Sequence, residues 1–85
     1  MSRLEKAKMR LLSMPKDHSY DEARALLGQL GFQEDNKGRT SGSRVEFFRE
    51  EDKAVILLHK PHPGNEMKLS SVRGLLQALK RMGDL

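Results

Sequence analysis

Two strand-like stretches joined by a short charged turn are the feature that most limits how this chain of 85 residues can fold. Residues 43–50 alternate along the chain, which predicts two faces: Val45 and Phe47 on one, and Arg44, Glu46 and Phe48 on the other. Residues 54–59 are apolar and rich in β-branched side chains, which indicates a strand buried on at least one face. The charged residues 51–53 between them predict the turn of a hairpin.

Two amphipathic segments precede this hairpin and predict helices. Residues 2–13 have one apolar face, formed by Leu4, Ala7, Leu11 and Leu12. The second helix is expected to begin at Ser19, because Ser19 and Glu22 have the spacing of a capping box. Its apolar stripe contains Tyr20, Ala23, Leu26, Leu27 and Leu30. Gly31 is a natural C-terminal stop for this helix.

A third helix is predicted near the C-terminus, with Ser70 or Ser71 as its N-cap. Its apolar stripe is Val72, Leu75, Leu76, Leu79 and Met82, and Gly83 ends it. Gly74 lies inside this helix at a cost of about 1 kcal/mol relative to alanine, and we expect it to serve close packing.

The order of these elements predicts the fold class. A short strand at residues 32–35, followed by a turn signal at residues 36–38, gives the order helix, helix, strand, strand, strand, helix. Strands flanked by helices favour an α+β fold with an antiparallel three-stranded sheet, covered by helices on one face and open on the other. No linker divides the chain, so a single domain over residues 1–85 is expected.

The composition favours a basic protein of the reducing cytoplasm. The chain has no cysteine and no run close to the roughly 18–20 apolar residues of a membrane span, so no membrane association is expected. The formal net charge of +4 suggests a polyanionic partner, with nucleic acid as the first candidate.

Candidate catalytic groups follow the last predicted strand, where His59, Lys60 and His62 lie close together in sequence. RNA cleavage without a metal needs a proton acceptor for the 2′-hydroxyl, a proton donor for the leaving oxygen and a cation for the phosphate. Histidine suits both proton transfers and lysine suits the charge. The two histidines could also be ordinary loop residues or half of a metal site. No set of three or four ligands converges in the sequence, so neither a metal nor a cofactor is expected.

Residues 38–44 offer backbone amides, hydroxyls and cations that could contact a phosphate. A hairpin turn that needs glycine at positions 38 and 42 explains the same pattern. On the strand that follows, Arg44 and Phe48 share a face and could hold phosphate and a stacked base. Phe48 could equally be buried under the N-terminal helix. The candidate RNA-binding residues are Lys37, Arg39, Ser41, Ser43, Arg44, Phe48 and Lys60.

Several of these stretches together resemble the HicA toxins of bacterial toxin–antitoxin systems. The resemblance rests on Gly42-Ser43-Arg44-Val45-Glu46-Phe47, on Pro61-His62-Pro63, and on Leu69 to Leu76 in an amphipathic C-terminal helix. It covers about residues 19–85 and leaves residues 1–18 as an N-terminal helical extension, which either packs on the domain or becomes ordered only with a partner. It implies a double-stranded-RNA-binding-domain-like α-β-β-β-α fold, ribonuclease activity on mRNA and neutralisation by a HicB-like antitoxin.

One motif position departs from that family. The usual motif is Gly-Ser-His with an aromatic residue shortly after it. Here Phe47 supplies the aromatic residue, but Arg44 stands where the catalytic histidine is expected. Arginine stays protonated and is therefore a poor general base.

Three interpretations of Arg44 follow. His59 or His62 transfers the proton while Arg44 holds phosphate, or the chain cleaves weakly by positioning and charge, or it binds RNA without cutting it. The resemblance favours the first interpretation, an mRNA-cleaving toxin in which Lys60 stabilises the transition state. A non-catalytic RNA-binding module and a domain that docks an acidic protein are the alternatives.

Overall fold

The fold is an α+β arrangement built on a three-stranded antiparallel sheet. The computed structural model describes residues 2–35, 44–61 and 64–85. In chain order the elements are α1 (Arg3–Leu12), α2 (Tyr20–Gln29), β1 (Gln33–Asp35), β2 (Arg44–Arg49), β3 (Ala54–His59) and α3 (Leu69–Met82). The sheet order is β1-β2-β3. The predicted α-β-β-β-α core with a helix before it is therefore confirmed, while the turn and connector expected at residues 36–42 lie outside the described residues.

The two faces of the sheet have different surroundings. One face carries Val45, Phe47, Ile56 and Leu58, which are buried in the same core as residues of all three helices. The other face, here called the open face, carries Gln33, Asp35, Arg44, Glu46, Phe48, Val55, Leu57 and His59. Directly opposed residues of antiparallel strands share a face. The alternation predicted for β2 is thus confirmed, and it sets which side chains remain available for a ligand.

The first two helices begin with capping boxes, from Ser2 and Glu5 in α1 and from Ser19 and Glu22 in α2. The second was predicted from the sequence and is confirmed. α2 stops before Gly31, whose φ of 98° lies in the left-handed region that favours glycine.

α1 packs mainly against α2 and α3. Leu11 is 0% exposed in the core, and Leu4 and Ala7 pack against that core as predicted. The prediction that Leu12 shares this face was wrong, because Leu12 is 45% exposed. Consecutive helical residues are about 100° apart, and the buried stripe of α1 is too narrow to include both leucines.

Two expectations about α3 also need correction. The helix begins at Leu69 after Lys68 as N-cap, so neither Ser70 nor Ser71 caps it. The Lys68 carbonyl already accepts from the N–H groups of Ser71 and Val72 at 2.9 and 3.1 Å, so helical hydrogen bonding begins before Ser70. A Cβ atom at Gly74 would meet no atom of the described residues within 4 Å, so close packing among them does not explain this glycine.

Candidate functional site

Arg44 and His59 form the centre of the candidate site. Arg44 is the first residue of β2 and His59 the last of β3, and the strand register places them directly opposite each other. Both lie on the open face and both are exposed. Side chains at opposed positions have Cβ atoms about 5 Å apart, so a guanidinium and an imidazole can reach the same phosphate group.

The other sequence-predicted catalytic residues continue from this point. Lys60 directly follows His59 and is exposed, so its ammonium group is available next to the pair. His62 lies outside the described residues. The same holds for Lys37, Arg39, Ser41 and Ser43 among the predicted RNA-binding residues.

Phe48 lies on the open face, two positions along from Glu46 on β2. It is half-buried, opposite Val55 on β3 and Gln33 on β1. The ammonium of Lys53 lies 6.0 Å from the centre of its ring. The helices share a core with the opposite face of the sheet, so Phe48 is not buried under the N-terminal helix. Phe48 borders a shallow depression of about 290 Å³ at β1.

Glu46 is a candidate that was not singled out from the sequence. It lies between Arg44 and Phe48 on the open face of β2, opposite Leu57, which places it diagonally next to His59. On its other side it faces Asp35 of β1. The strand alternation contains the signal, because any residue two positions from Arg44 shares its face. A carboxylate, a guanidinium and an imidazole therefore occupy neighbouring positions at this end of the sheet.

The open face also carries apolar side chains. Val55 is 47% and Leu57 is 52% exposed. The sequence indicated only that this strand is buried on at least one face, and the structure shows that one face of it is buried. The surface between Phe48 and the pair formed by Arg44 and His59 therefore alternates charged and apolar groups. This composition is expected where a base and its phosphate are held together.

His18, the remaining histidine, differs from the histidine of this site because it is buried. Its side chain is buried between α1 and α2, and burial lowers the pKa of its imidazole. Nδ1 has no hydrogen-bond partner among the described residues. The ring borders a cavity of about 230 Å³ that is also lined by Arg10 and Glu22.

Two further properties concern the described part of the chain as a whole. Within residues 2–35, 44–61 and 64–85, no three side chains of the types that bind metals come together. In the same residues, no helix combines the length and apolar character needed to span a bilayer.

Comparison with known proteins gives one family. Residues 20–83 match the model of a family described as the HicA toxin of bacterial toxin–antitoxin systems. This match covers most of the chain and contains the whole of the sheet, the candidate site and the C-terminal helix. No curated protein and no solved structure gave a match.

Proposed function

The chain belongs to the HicA toxin family of bacterial toxin–antitoxin systems, and from this premise we propose that it is a metal-independent endoribonuclease. It would cleave mRNA in the cytoplasm and be neutralised by a HicB-like antitoxin. The observation that carries the proposal is the opposed pair of Arg44 and His59 on the open face. The pair supplies a permanent cation and a proton-transfer group at one point, although the usual motif histidine is absent.

The reaction needs three functions around one phosphate. The 2′-oxygen of the RNA attacks phosphorus, its proton passes to a base, and the bond to the 5′-oxygen breaks as that oxygen receives a proton. The products are a 2′,3′-cyclic phosphate and a 5′-hydroxyl. In our proposal Arg44 binds the phosphate, since its guanidinium cannot accept a proton but can stabilise the charge that develops.

We assign to His59 the donation of a proton to the leaving 5′-oxygen. An imidazole can carry and release a proton near neutral pH. His59 is exposed and directly opposite Arg44. Lys60, the next residue, adds charge stabilisation in the transition state, and Phe48 provides a ring for base stacking farther along the same face.

We assign acceptance of the 2′-hydroxyl proton to Glu46, whose carboxylate shares the open face with Arg44 and lies diagonally next to His59. His62 is the competing base, because it is the histidine of the Pro-His-Pro run that resembles the family motif. Each assignment makes a different variant inactive, so the two can be separated by experiment.

The first test is cleavage of a long mRNA by the purified, antitoxin-free chain in excess EDTA. Wild type should produce 2′,3′-cyclic phosphate ends, and His59→Ala should lose at least 100-fold in rate, in line with the usual contribution of acid–base catalysis. Glu46→Gln should lose a similar factor, and His62→Ala should retain activity. Activity that survives His59→Ala would contradict the assignment, and loss with His62→Ala would transfer the base to His62.

A second substrate separates the acid from the base. An RNA with sulfur in place of the 5′-bridging oxygen has a leaving group that needs no proton. His59→Ala should cleave this RNA almost as fast as wild type does, whereas Glu46→Gln should remain slow. If neither variant recovers, His59 is not the proton donor.

The Arg44 position also supports a second function, an RNA-binding module without catalysis. It predicts that wild type shifts RNA in a gel, that binding weakens with salt, and that the RNA stays intact. A pure protein-interaction domain predicts no RNA binding at physiological salt. These outcomes are distinct from one another and from cleavage.

A further inference from the structure

The outer edge of β3 has the properties of an unprotected sheet edge. β3 is the last strand of the sheet and pairs with β2 on one side, and no strand among the described residues pairs with its other side. Alternate residues of such a strand point their N–H and C=O groups outward. The six residues 54–59 contain no proline, glycine, lysine or carboxylate, which are the residues that commonly blunt an edge.

A groove of about 400 Å³ runs between this edge and α3. Its strand side is the edge of β3 from Val55 to His59, and its helix side includes Gly74 and Arg81. A Cβ at Gly74 would meet no atom of the described residues within 4 Å, so none of them fills the space that this glycine leaves. The groove is therefore wide enough beside α3 to accept further side chains.

The charge of the groove has one sign. Among the described residues that line it there is no carboxylate, and the ionisable ones are Arg81 and His59. These lie towards opposite ends. Arg49 is opposed to Ala54 at the start of β3 and contacts Asp84 at 2.9 Å, so the C-terminal end of α3 lies near that start. Arg81 is consequently close to the beginning of the strand, and His59 is at its end.

We propose that the free edge of β3 docks an extended segment of an acidic partner protein. The segment adds a fourth strand to the sheet through backbone hydrogen bonds. Its alternate side chains cover Val55 and Leu57 on one face and enter the groove beside Gly74 on the other, and its carboxylates face Arg81 and His59. A second copy of this chain fits less well, because two chains of net charge +4 would meet. The proposal does not depend on whether the chain cuts RNA.

The test uses the full chain and, as probe, the antitoxin protein that accompanies it. Amide hydrogen exchange of residues 54–59 should slow in the complex, at about half of these amides, because the others already bond to β2. Gly74→Leu should weaken binding of the antitoxin at least tenfold. Gly28→Leu is the matched control: Gly28 is also helical and also open to solvent, and it lies on α2 away from the groove, so binding should change less than twofold.

Charge gives a second pair of variants. Arg81→Glu should weaken binding at least tenfold, whereas Lys80→Glu, with the same change in net charge one residue away, should not. Unchanged exchange at residues 54–59, or equal effects within either pair, would overturn the proposal. It would also be overturned if the chain alone dimerised and Gly74→Leu made it monomeric, because the occupant would then be a second copy.

Discussion

At the scale of single residues, Arg49 owes its role to the face on which it lies. It is one residue from Phe48 on β2, yet its side chain is only 7% exposed. The guanidinium donates to Asp52 at 2.9 and 2.8 Å, to Asp84 at 3.0 and 2.9 Å and to the Leu30 carbonyl at 3.1 Å. Hydrogen bonds to Asp52, then to Asp84, raise the pKa of Arg49 above its ordinary value. Arg49 thus joins the end of α2, the β2–β3 turn and the C-terminus, and is not available to RNA.

Replacing this cation should destabilise the fold. We expect Arg49→Met to lower the free energy of unfolding by roughly 3 kcal/mol, because it leaves two carboxylates and a carbonyl without their common donor. Urea denaturation at pH 7 measures the change. Arg73→Met removes an exposed arginine of α3 and should stay within about 0.5 kcal/mol of wild type. Equal effects would show that the network around Arg49 contributes little.

At the scale of elements, the contribution of α1 to the hydrophobic core was the least expected. It lies before the residues that match the family model, yet it places Leu11 at 0% exposure in the common core. Arg10 of α1 also binds Glu22 at the start of α2 and contacts Asp17 at 3.1 Å. We therefore propose that residues 1–18 fold together with residues 19–85 as one domain, and not as a separate extension.

Two neighbouring leucines test this proposal. Leu11→Ala should cost about 2–5 kcal/mol of unfolding free energy, as expected for a large-to-small change in a core. Leu12→Ala, at a position that is 45% exposed, should cost less than about 0.5 kcal/mol. Denaturation curves of the two variants give the comparison. A Leu11→Ala variant as stable as wild type would mean that α1 is not part of the cooperative unit.

The contact between α1 and α2 should also be sensitive to acid. The hydrogen bond from Arg10 lowers the pKa of Glu22 from 4.5 to about 2, so its contribution is present above pH 4.5 and is lost as the pH falls towards 2. Burial lowers the pKa of His18 below 6.5, so the unfolded chain binds this proton first, and stability also falls as the pH drops below 6.5.

The two groups can be separated by urea denaturation between pH 7 and pH 2. Glu22→Gln should reduce the loss below pH 4.5, where Asp52 also contributes because its hydrogen bond to Arg49 lowers its pKa, and should leave the upper part. His18→Gln should remove the upper part and leave the lower one. If each variant kept the full pH dependence of wild type, neither group would be responsible for it.

At the scale of the whole molecule, the net charge is +4, but the individual cations are not equally accessible to a ligand. On the helix side Arg24 pairs with Glu34 at 2.8 Å and Arg10 pairs with Glu22, so these cations are already engaged. At the end of the open face, Arg44 and Lys60 are exposed. The electrostatic field that an RNA encounters therefore depends more on where the exposed cations lie than on the net charge.

Salt dependence of RNA binding measures this distribution. Each phosphate contact to single-stranded RNA contributes about 0.7 to the slope of log affinity against log salt concentration. Arg44→Gln should reduce the slope by about that amount, and Arg24→Gln, with the same change in net charge, should leave it unchanged. Equal slopes for the two variants would indicate binding by total charge and not by the open face.

Most elements could be predicted from the sequence, because helix and strand periodicity and capping are local properties. The Ser19 capping box placed α2, and the apolar run placed β3. Alternation along β2 placed Arg44 and Phe47 on opposite faces. The sequence could not determine what depends on neighbours distant in the chain. Alternation also puts Arg49 on the face opposite to that of Arg44. Its burial there depends on the tertiary structure, because its partners Leu30 and Asp84 come from distant parts of the chain.

The same division applies to the candidate site. Arg44, His59 and Lys60 were recognised from the chemistry of their side chains, which is a property of residue type. That Arg44 and His59 are directly opposed, with Glu46 diagonal to them, follows from the register between β2 and β3. Register is set by how Phe47 and Ile56 pack together against the helices, because a shift of one residue would turn the apolar side chains towards water. That packing joins parts of the chain that no local pattern relates.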